Sequence, residues 1–292
     1  MKEIIYTYQD TFYTSKLTCI NISFYSSLKY IKFISCNFSK IKYLGKGTYG
    51  KVYISKYNSN NIAIKTYIKN NEFSVINEIK CYEFQIKNKL VHNNIVNIIG
   101  YTNISNNIAL ILEYCEFDLI ELMNYNTTRN KYIKKILPLY YDKVCSIMED
   151  VRKGLEFLHS NYIAHLDIKP DNILIKVLDN KILSKICDFG FAMNLKNKIC
   201  KFDCIYGTYI YAAPEIINNN YFDYSADIYS FGMTMKNFIL STYYTIPKWI
   251  YSCLEYNPAK RPIINNIYIL KNYKYCIRNK IINFFLKVLY KF

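Results

Sequence analysis

Asp167, Lys169 and Asn172 stand within six positions of one another, in the run IAHLDIKPDNILI at residues 163–175, with apolar residues on both sides. Pro170 lacks an amide donor and turns Lys169 away from the helical region, so the run suits neither a helix interior nor a central strand. Two readings compete: a polar surface turn, or a rigid loop that presents a proton acceptor, a cation and a carboxamide to a reacting group. Upstream, Gly45, Gly47 and Gly50 make G-x-G-x-x-G within Leu44, Gly45, Lys46, Gly47, Thr48, Tyr49, Gly50, Lys51 and Val52. A strand follows this turn, not a helix, which disfavours a dinucleotide fingerprint. A strand–turn–strand flap instead lets backbone amides approach phosphates from above. Lys65 follows the small Ala63 and the apolar Ile64. That setting suits a buried ammonium reaching phosphate oxygens, although a strand lysine is more often a solvated edge charge. A buried ammonium needs a carboxylate. Glu83 and Glu78 compete for the role, and Glu83 is preferred because Phe84, Ile86 and Leu90 then face a core.

The elements that must position these groups can be read from periodicity. Residues 1–40 mix Ser, Thr, Tyr and Ile with no Gly, no Pro and no clear period, and read as an N-terminal extension. From residue 41, IKYLGKGTYGKVYISKY and NIAIKTYI are β-branched and aromatic runs split by turns, EFSVINEIKCYEFQIKNKL reads as a helix, and IVNIIGYT and IALILEYC as two more strands. After Cys115 the pattern turns helical. Val144, Ile147, Val151, Leu155 and Leu158 fall at steps of three and four, one face of a long helix. NILIKV and ILSKIC make a short hairpin, and helices follow from about 225. The reading is α+β with two lobes, residues 41–115 and 116–270, and a basic tail at 271–292.

Composition bounds the function. The 292 residues suffice for one large domain or two lobes, and 51% hydrophobic content fits a globular chain. A net charge of +16 permits attraction to nucleic acid, anionic membrane or acidic protein surfaces. No Lys/Arg-rich block marks a nucleic-acid patch, and the tilt toward Ile, Asn, Lys and Tyr matches an AT-rich genome, compatible with a virus or parasite. The ten cysteines are scattered and there are three histidines, which argues for reduced thiols in a cytosolic-type compartment and against a structural zinc site. MKEIIYTYQD carries acids and lacks the apolar core of a secretory signal, and no apolar run reaches the roughly 18 residues needed to cross a bilayer. The expected location is the cytoplasm, that of the host if the source is viral.

With LGKGTYGKV, AIK, HLDIKPDN, DFG at 188–190 and AAPE at 212–215 in that order, the chain resembles the protein kinase family from about residue 41 to 270. The resemblance implies a two-lobed kinase fold using ATP and magnesium, with protein Ser/Thr hydroxyls as acceptors. Asp167 would orient the hydroxyl and take its proton. Lys169 would neutralise the moving phosphoryl group. Asn172 and Asp188 would hold the metal, and Lys65 paired with Glu83 would anchor the α- and β-phosphates. The Gly-rich loop would cover the phosphates. Leu44, Val52, Ala63 and Leu174 would sandwich adenine, Leu112 would be gatekeeper, Glu113 to Cys115 the hinge, and Asp118 a ribose contact. His165 would pack the loop, Asp227 would accept backbone amides, and Glu215 would pair with Arg261. Lys169 and Thr208 resemble the serine/threonine class, and HLDIKP the Mos-like subset.

Three departures matter. Leu166 stands where many regulated kinases carry the arginine that pairs with a phosphorylated activation loop, so activity without that phosphorylation is expected. Only 34 residues separate Asp227 from Arg261, so the helix that usually docks substrates there must be reduced. The tail KNYKYCIRNKIINFFLKVLYKF reads as a helix packed on the lobe or as an amphipathic membrane-surface helix. The rivals to an enzyme are a pseudokinase scaffold, disfavoured by intact Lys65, Asp167, Asn172 and Asp188, and a basic nucleic-acid binder, which lacks any recognised motif. The sequence leaves the oligomeric state open.

Overall fold

The computed structural model describes residues 28–35, 39–46, 50–67, 72–104, 107–124, 131–137, 139–179, 181–196, 207–218, 221–242 and 244–269. Gly47, Thr48 and Tyr49 of the Gly-rich turn and the basic tail, 271–292, lie outside the described residues.

Strands β1 (Ser39–Lys46), β2 (Gly50–Tyr57), β3 (Asn60–Tyr67), β4 (Ile98–Ile104) and β5 (Asn107–Glu113) form one antiparallel sheet in the order β1-β2-β3-β5-β4. Alternation sorts its two faces. Ile62 and Ile64 of β3 join Ala109 and Ile111 in an apolar cluster on one side, which leaves Ala63 and Lys65 to the other. Directly opposed residues share a face, so Val52 and Leu110 stand beside Lys65, and Ile54 and Leu112 beside Ala63. The β2–β3 turn runs through Asn58 and Ser59, both at positive φ. A side chain at Gly50 would run into the Thr66 carbonyl, so this close approach of β2 and β3 requires glycine.

Helix α1 (Glu72–Lys87) packs on the Lys65 side of the sheet through Val75, Ile79 and Tyr82. After residues 114–116 the chain enters β6 (Phe117–Asp118), α2 (Leu119–Met123), α3 (Lys131–Ile136) and α4 (Tyr141–Ser160). The expected face of α4 is the buried one: Val144, Ile147, Val151, Leu155 and Leu158 are each 0% exposed. Then come β7 (Ile163–Ala164), β8 (Ile173–Leu178), β9 (Lys181–Ile186), β10 (Met193–Asn194), α5 (Pro214–Ile217), α6 (Ser225–Ser241) and α7 (Lys248–Cys253). The hairpin β8–β9 pairs with β6, and β10 with β7. Between α6 and Arg261, the described residues hold one short α-helix, α7, and a single 3-10 turn at Pro258–Lys260.

The architecture is α+β, a β-rich lobe followed by a mainly helical one, as the sequence pattern implies. A backbone bridge ties the lobes: Val96 N donates to Ile186 O at 2.9 Å and Ile186 N to Asn94 O at 2.9 Å. No described helix is long and apolar enough to cross a membrane.

Candidate active site

The loop between β7 and β8 is held from below by one carboxylate. Asp227, on α6 and 0% exposed, accepts the amides of His165 at 2.8 Å and Leu166 at 2.7 Å, and its Oδ2 lies 2.9 Å from His159 Nε2. Burial alone would raise its carboxyl, but His159 and these amides hold it below the usual carboxylate range. With both amides gripped, Leu166 can sit at φ +63°, a region branched side chains rarely enter. Pro170 then starts a 3-10 turn, Pro170–Asn172, that returns the chain to β8.

This geometry gathers the polar groups of the run around Asp167. Its Oδ2 lies 2.8 Å from Lys169 Nζ and 2.9 Å from Asn172 Nδ2. Its Oδ1 accepts the Thr208 amide at 2.9 Å and the Thr208 hydroxyl at 3.0 Å, while that hydroxyl accepts from Lys169 Nζ at 2.7 Å. His165 is a core residue here: its Nδ1 accepts the Asp167 amide and its Nε2 faces the Cys187 carbonyl at 3.0 Å, which assigns the Nε2–H tautomer. Cys187 N in turn donates to Asn172 O at 3.0 Å, joining the loop to the residues that lead into Asp188.

Lys65 reaches the same region from β3. Its Nζ lies 2.7 Å from Glu78 Oε2 and 3.0 Å from Asp188 Oδ1. Burial works to strip its proton, but Asp188 and Glu78 outweigh that and raise its pKa above the ordinary lysine value. Burial opposes charge on Asp188 too, and Lys65 overturns it, so Asp188 is held ionised. Glu78 is pushed upward by burial against the pull of Lys65; an ammonium at 2.7 Å and the Tyr67 hydroxyl at 2.9 Å mark its carboxylate as the charged partner. Asp188 sits at φ +64°, and its Oδ1 accepts Gly190 N at 3.3 Å.

The expected Lys65–Glu83 pair is therefore replaced by Lys65–Glu78. The reason is the phase and length of α1. The helix ends at Lys87, so Leu90 is not on it, and Ile86 is 37% exposed. The buried stripe runs through Val75, Ile79 and Tyr82 with Glu78 in its midst, while Glu83 accepts the Tyr30 amide at 3.1 Å. The signal was present: a carboxylate inside an apolar helical stripe must have a cation.

Of the residues expected around adenine, Val52, Ala63 and Leu112 share one sheet face, and Leu174 pairs with Asp118 across β6–β8. Leu44 on β1 is 45% exposed, and Gly45 and Lys46 end that strand. Glu113 turns its carboxylate away to Lys176 at 2.8 Å and Lys185 at 2.7 Å, and it accepts the Asn97 amide. Burial pushes the Cys115 thiol up to about 12, so it stays neutral. Asp118 caps α2 through the Glu121 amide at 2.7 Å, and burial raises its carboxyl to about 6.

Asn172 commits its Nδ2 to Asp167 and keeps its side-chain oxygen as a candidate ligand, and its backbone carbonyl takes the amide of Cys187, the residue before Asp188, whose carboxylate is the second candidate ligand. These are hard donors, and the described residues contain no cluster of three or more His, Cys, Asp or Glu. Such a pair fits a divalent ion that takes most of its ligands from phosphate and water. Elsewhere, Arg261 and Glu215 form the expected buried pair at 2.6 and 2.8 Å. Two contributors escaped sequence reasoning. Asn77 Nδ2 faces the carbonyls of Phe189, Gly190 and Ala192 at 3.3, 3.0 and 2.7 Å, and the Lys185 ammonium is buried under Glu113. Asn77 was visible as a polar neighbour of Glu78 on a buried helix face.

Residues 38–246 match the family described as protein kinase domain. Serine/threonine-protein kinase TIO of Arabidopsis thaliana is 30% identical over 197 residues, covering 67% of this chain and 14% of that protein. Human serine/threonine-protein kinase ULK3 is 33% identical over 198 residues, 66% of this chain and 39% of that protein. The inhibitor of nuclear factor kappa-B kinase subunit alpha of Gallus gallus is 30% identical over 197 residues, 65% of this chain and 25% of that protein. The chain thus spans well under half the length of these curated relatives. The motifs, the fold and these matches converge: the chain belongs to the eukaryotic-type protein kinase family, whose members use ATP with a divalent metal.

Proposed function

We propose that the chain transfers the γ-phosphoryl group of ATP to Ser and Thr hydroxyls of proteins, with magnesium as the metal. The observation that carries this reading is the cluster in which Lys169, Asn172 and Thr208 each contact the Asp167 carboxylate within 3.0 Å. Asp167, fixed from both sides, orients the acceptor hydroxyl and takes its proton as the new O–P bond forms and the bond from the γ-phosphorus to the bridging oxygen breaks, releasing ADP. Lys169 offsets negative charge on the moving group. Lys65, kept protonated by Glu78 and Asp188, binds the α- and β-phosphates. Asn172 and Asp188 would hold the magnesium, which supplies charge neutralisation between phosphate oxygens when bound. Labelled γ-phosphate transfer to generic protein acceptors tests the reading. Asp167→Asn and Lys65→Met should each lower it by about 10²- to 10⁴-fold. Transfer by Asp167→Asn equal to wild type, or label found on tyrosine alone, would refute it.

Independence from activation-loop phosphorylation has its own support. Leu166 is buried in an apolar cluster with Met193, Leu195, Ala212, Ala213 and Ile216, where a phosphate-binding kinase would place a cation. From Phe191 to Tyr211 the sequence has no Ser and no Thr except Thr208, whose hydroxyl is engaged with Asp167. Tyr206→Phe, Tyr209→Phe and Tyr211→Phe, made singly, should keep full transfer activity. Loss in any of them overturns this part of the proposal. A reducing, cytoplasmic location is also proposed, supported by Cys81, Cys115, Cys187 and Cys253 standing as thiols among the described residues.

A further inference from the structure

We infer that residues 28–35 form a strap that holds α1, and with it Glu78, in the position that pairs with Lys65. Backbone bonds fasten the strap to the outer edge of β4: Ile34 N donates to Tyr101 O at 2.8 Å and Tyr101 N to Lys32 O at 2.9 Å. Phe33 forms a parallel bridge with Tyr101, and their rings meet edge-on at 5.3 Å. The two buried strap residues go to opposite sides of that edge. Ile34, 4% exposed, joins Ile62, Ile64 and Ile111 on the outer sheet face, and Ile31, also 4% exposed, joins the main core, which also takes in Val75, Ile79 and Tyr82 of α1 and Leu110 and Leu112 of β5. The helix answers with Glu83, which accepts Tyr30 N at 3.1 Å, and with Lys87, whose ammonium lies 5.9 Å from the Tyr30 ring centre.

Glu83 and Glu78 thus divide the work of the helix. Five residues of α-helical rotation turn them to well-separated faces, one toward the strap and one toward Lys65. The strap covers a strand edge that would otherwise expose unpaired amides and carbonyls. It also crosses β4 at a glycine: the three nearest atoms to a Cβ at Gly100 are Ile34 Cδ1 at 2.6 Å, Lys32 O at 2.6 Å and Ile34 Cγ1 at 2.9 Å, all of them on the strap. Gly100→Ala is therefore a selective way to dislodge it, since the added methyl meets the strap and none of the sheet or helix among its nearest neighbours. Glu83 and Ile31 are positioning residues, acting on the reaction only through Glu78.

The inference rests on the phosphoryl-transfer reading, and its test separates the two. In the full chain, Gly100→Ala and Glu83→Ala should each lower kcat, Gly100→Ala by about tenfold as the helix spends less time in the paired position. In a Glu78→Gln background, Gly100→Ala should cost no more than about twofold further, because both changes act on one contact. A strap that merely stabilises the fold would give losses that multiply in the double variant, and that result overturns the inference. Amide hydrogen exchange read over Val75–Tyr82 gives a readout apart from activity, with protection expected to fall about tenfold in Gly100→Ala and hold in wild type. Unchanged exchange and unchanged transfer in Gly100→Ala also overturn it. If wild type transfers no phosphate, the functional reading fails by itself, and the exchange result still decides whether the strap holds the helix.

Discussion

The Asp167 cluster and the Lys65 cluster lie in one site but are built in different ways. Around Asp167, a short loop supplies Lys169 and Asn172, and the helical lobe alone supplies the remaining supports, Asp227 and Thr208. Around Lys65, three separate elements must meet: β3 brings the ammonium, α1 brings Glu78 and the turn after β9 brings Asp188. The first cluster persists as long as one lobe is folded. The second exists only while α1 is pressed toward the turn, which Asn77 does from inside and the strap does from outside. The difference teaches where this site is vulnerable: the Asp167 cluster is lost by unfolding, and the Lys65–Glu78 pair, on the proposed reading the phosphate anchor, is lost by a small movement of one helix.

The contrast can be broken at its strongest point first. Asp227→Ala leaves two loop amides and His159 without their buried acceptor. It should destabilise the protein by about 3–5 kcal/mol and abolish transfer, as thermal melts and the transfer assay will read. Glu78→Gln attacks the other cluster. It should lower kcat about a hundredfold through misplaced phosphates, with a far smaller loss of melting temperature than Asp227→Ala. Asn77→Leu removes the donor that faces three carbonyls of the turn at Phe189–Ala192, and should cost about tenfold in kcat and about 1–3 kcal/mol of stability, less than Asp227→Ala. The smallest effect sharpens the boundary of the site. Asp118 has a carboxyl raised to about 6, so the folded state binds its proton more tightly than the unfolded chain does. Its stabilising share is present at low pH and is lost as pH rises through about 6. The melting temperature of Asp118→Asn relative to wild type should therefore rise between pH 4.5 and 7.5.

How much of this was legible follows the same division. The Asp167 loop could be read directly, because its reacting groups lie within six residues and Pro170 restricts the backbone between them. The long face of α4 and the β8–β9 hairpin were equally plain, since each is fixed by local periodicity or a tight turn. The partner of Lys65 was harder, because it depends on where α1 ends and how it is rotated against the sheet. Extending the helix to Leu90 shifted the inferred face by enough to favour Glu83. The strap was not legible at all: residues 28–35 show no period of their own, and their place is set by the edge of β4 at Gly100 and Tyr101. Local chemistry reads from spacing, whereas tertiary register needs the neighbouring element in place.

Calorimetric titration of Mg·ATP into wild type, Lys65→Met, Asp188→Asn and Asp167→Asn tests the two-cluster account most directly. It predicts that Lys65→Met and Asp188→Asn weaken binding by about tenfold or more, while Asp167→Asn binds as wild type does, because the Asp167 carboxylate is assigned to the acceptor hydroxyl and the asparagine can still hold the Asn172 amide. Equal binding by all four proteins, or an equal loss in Asp167→Asn, would contradict it.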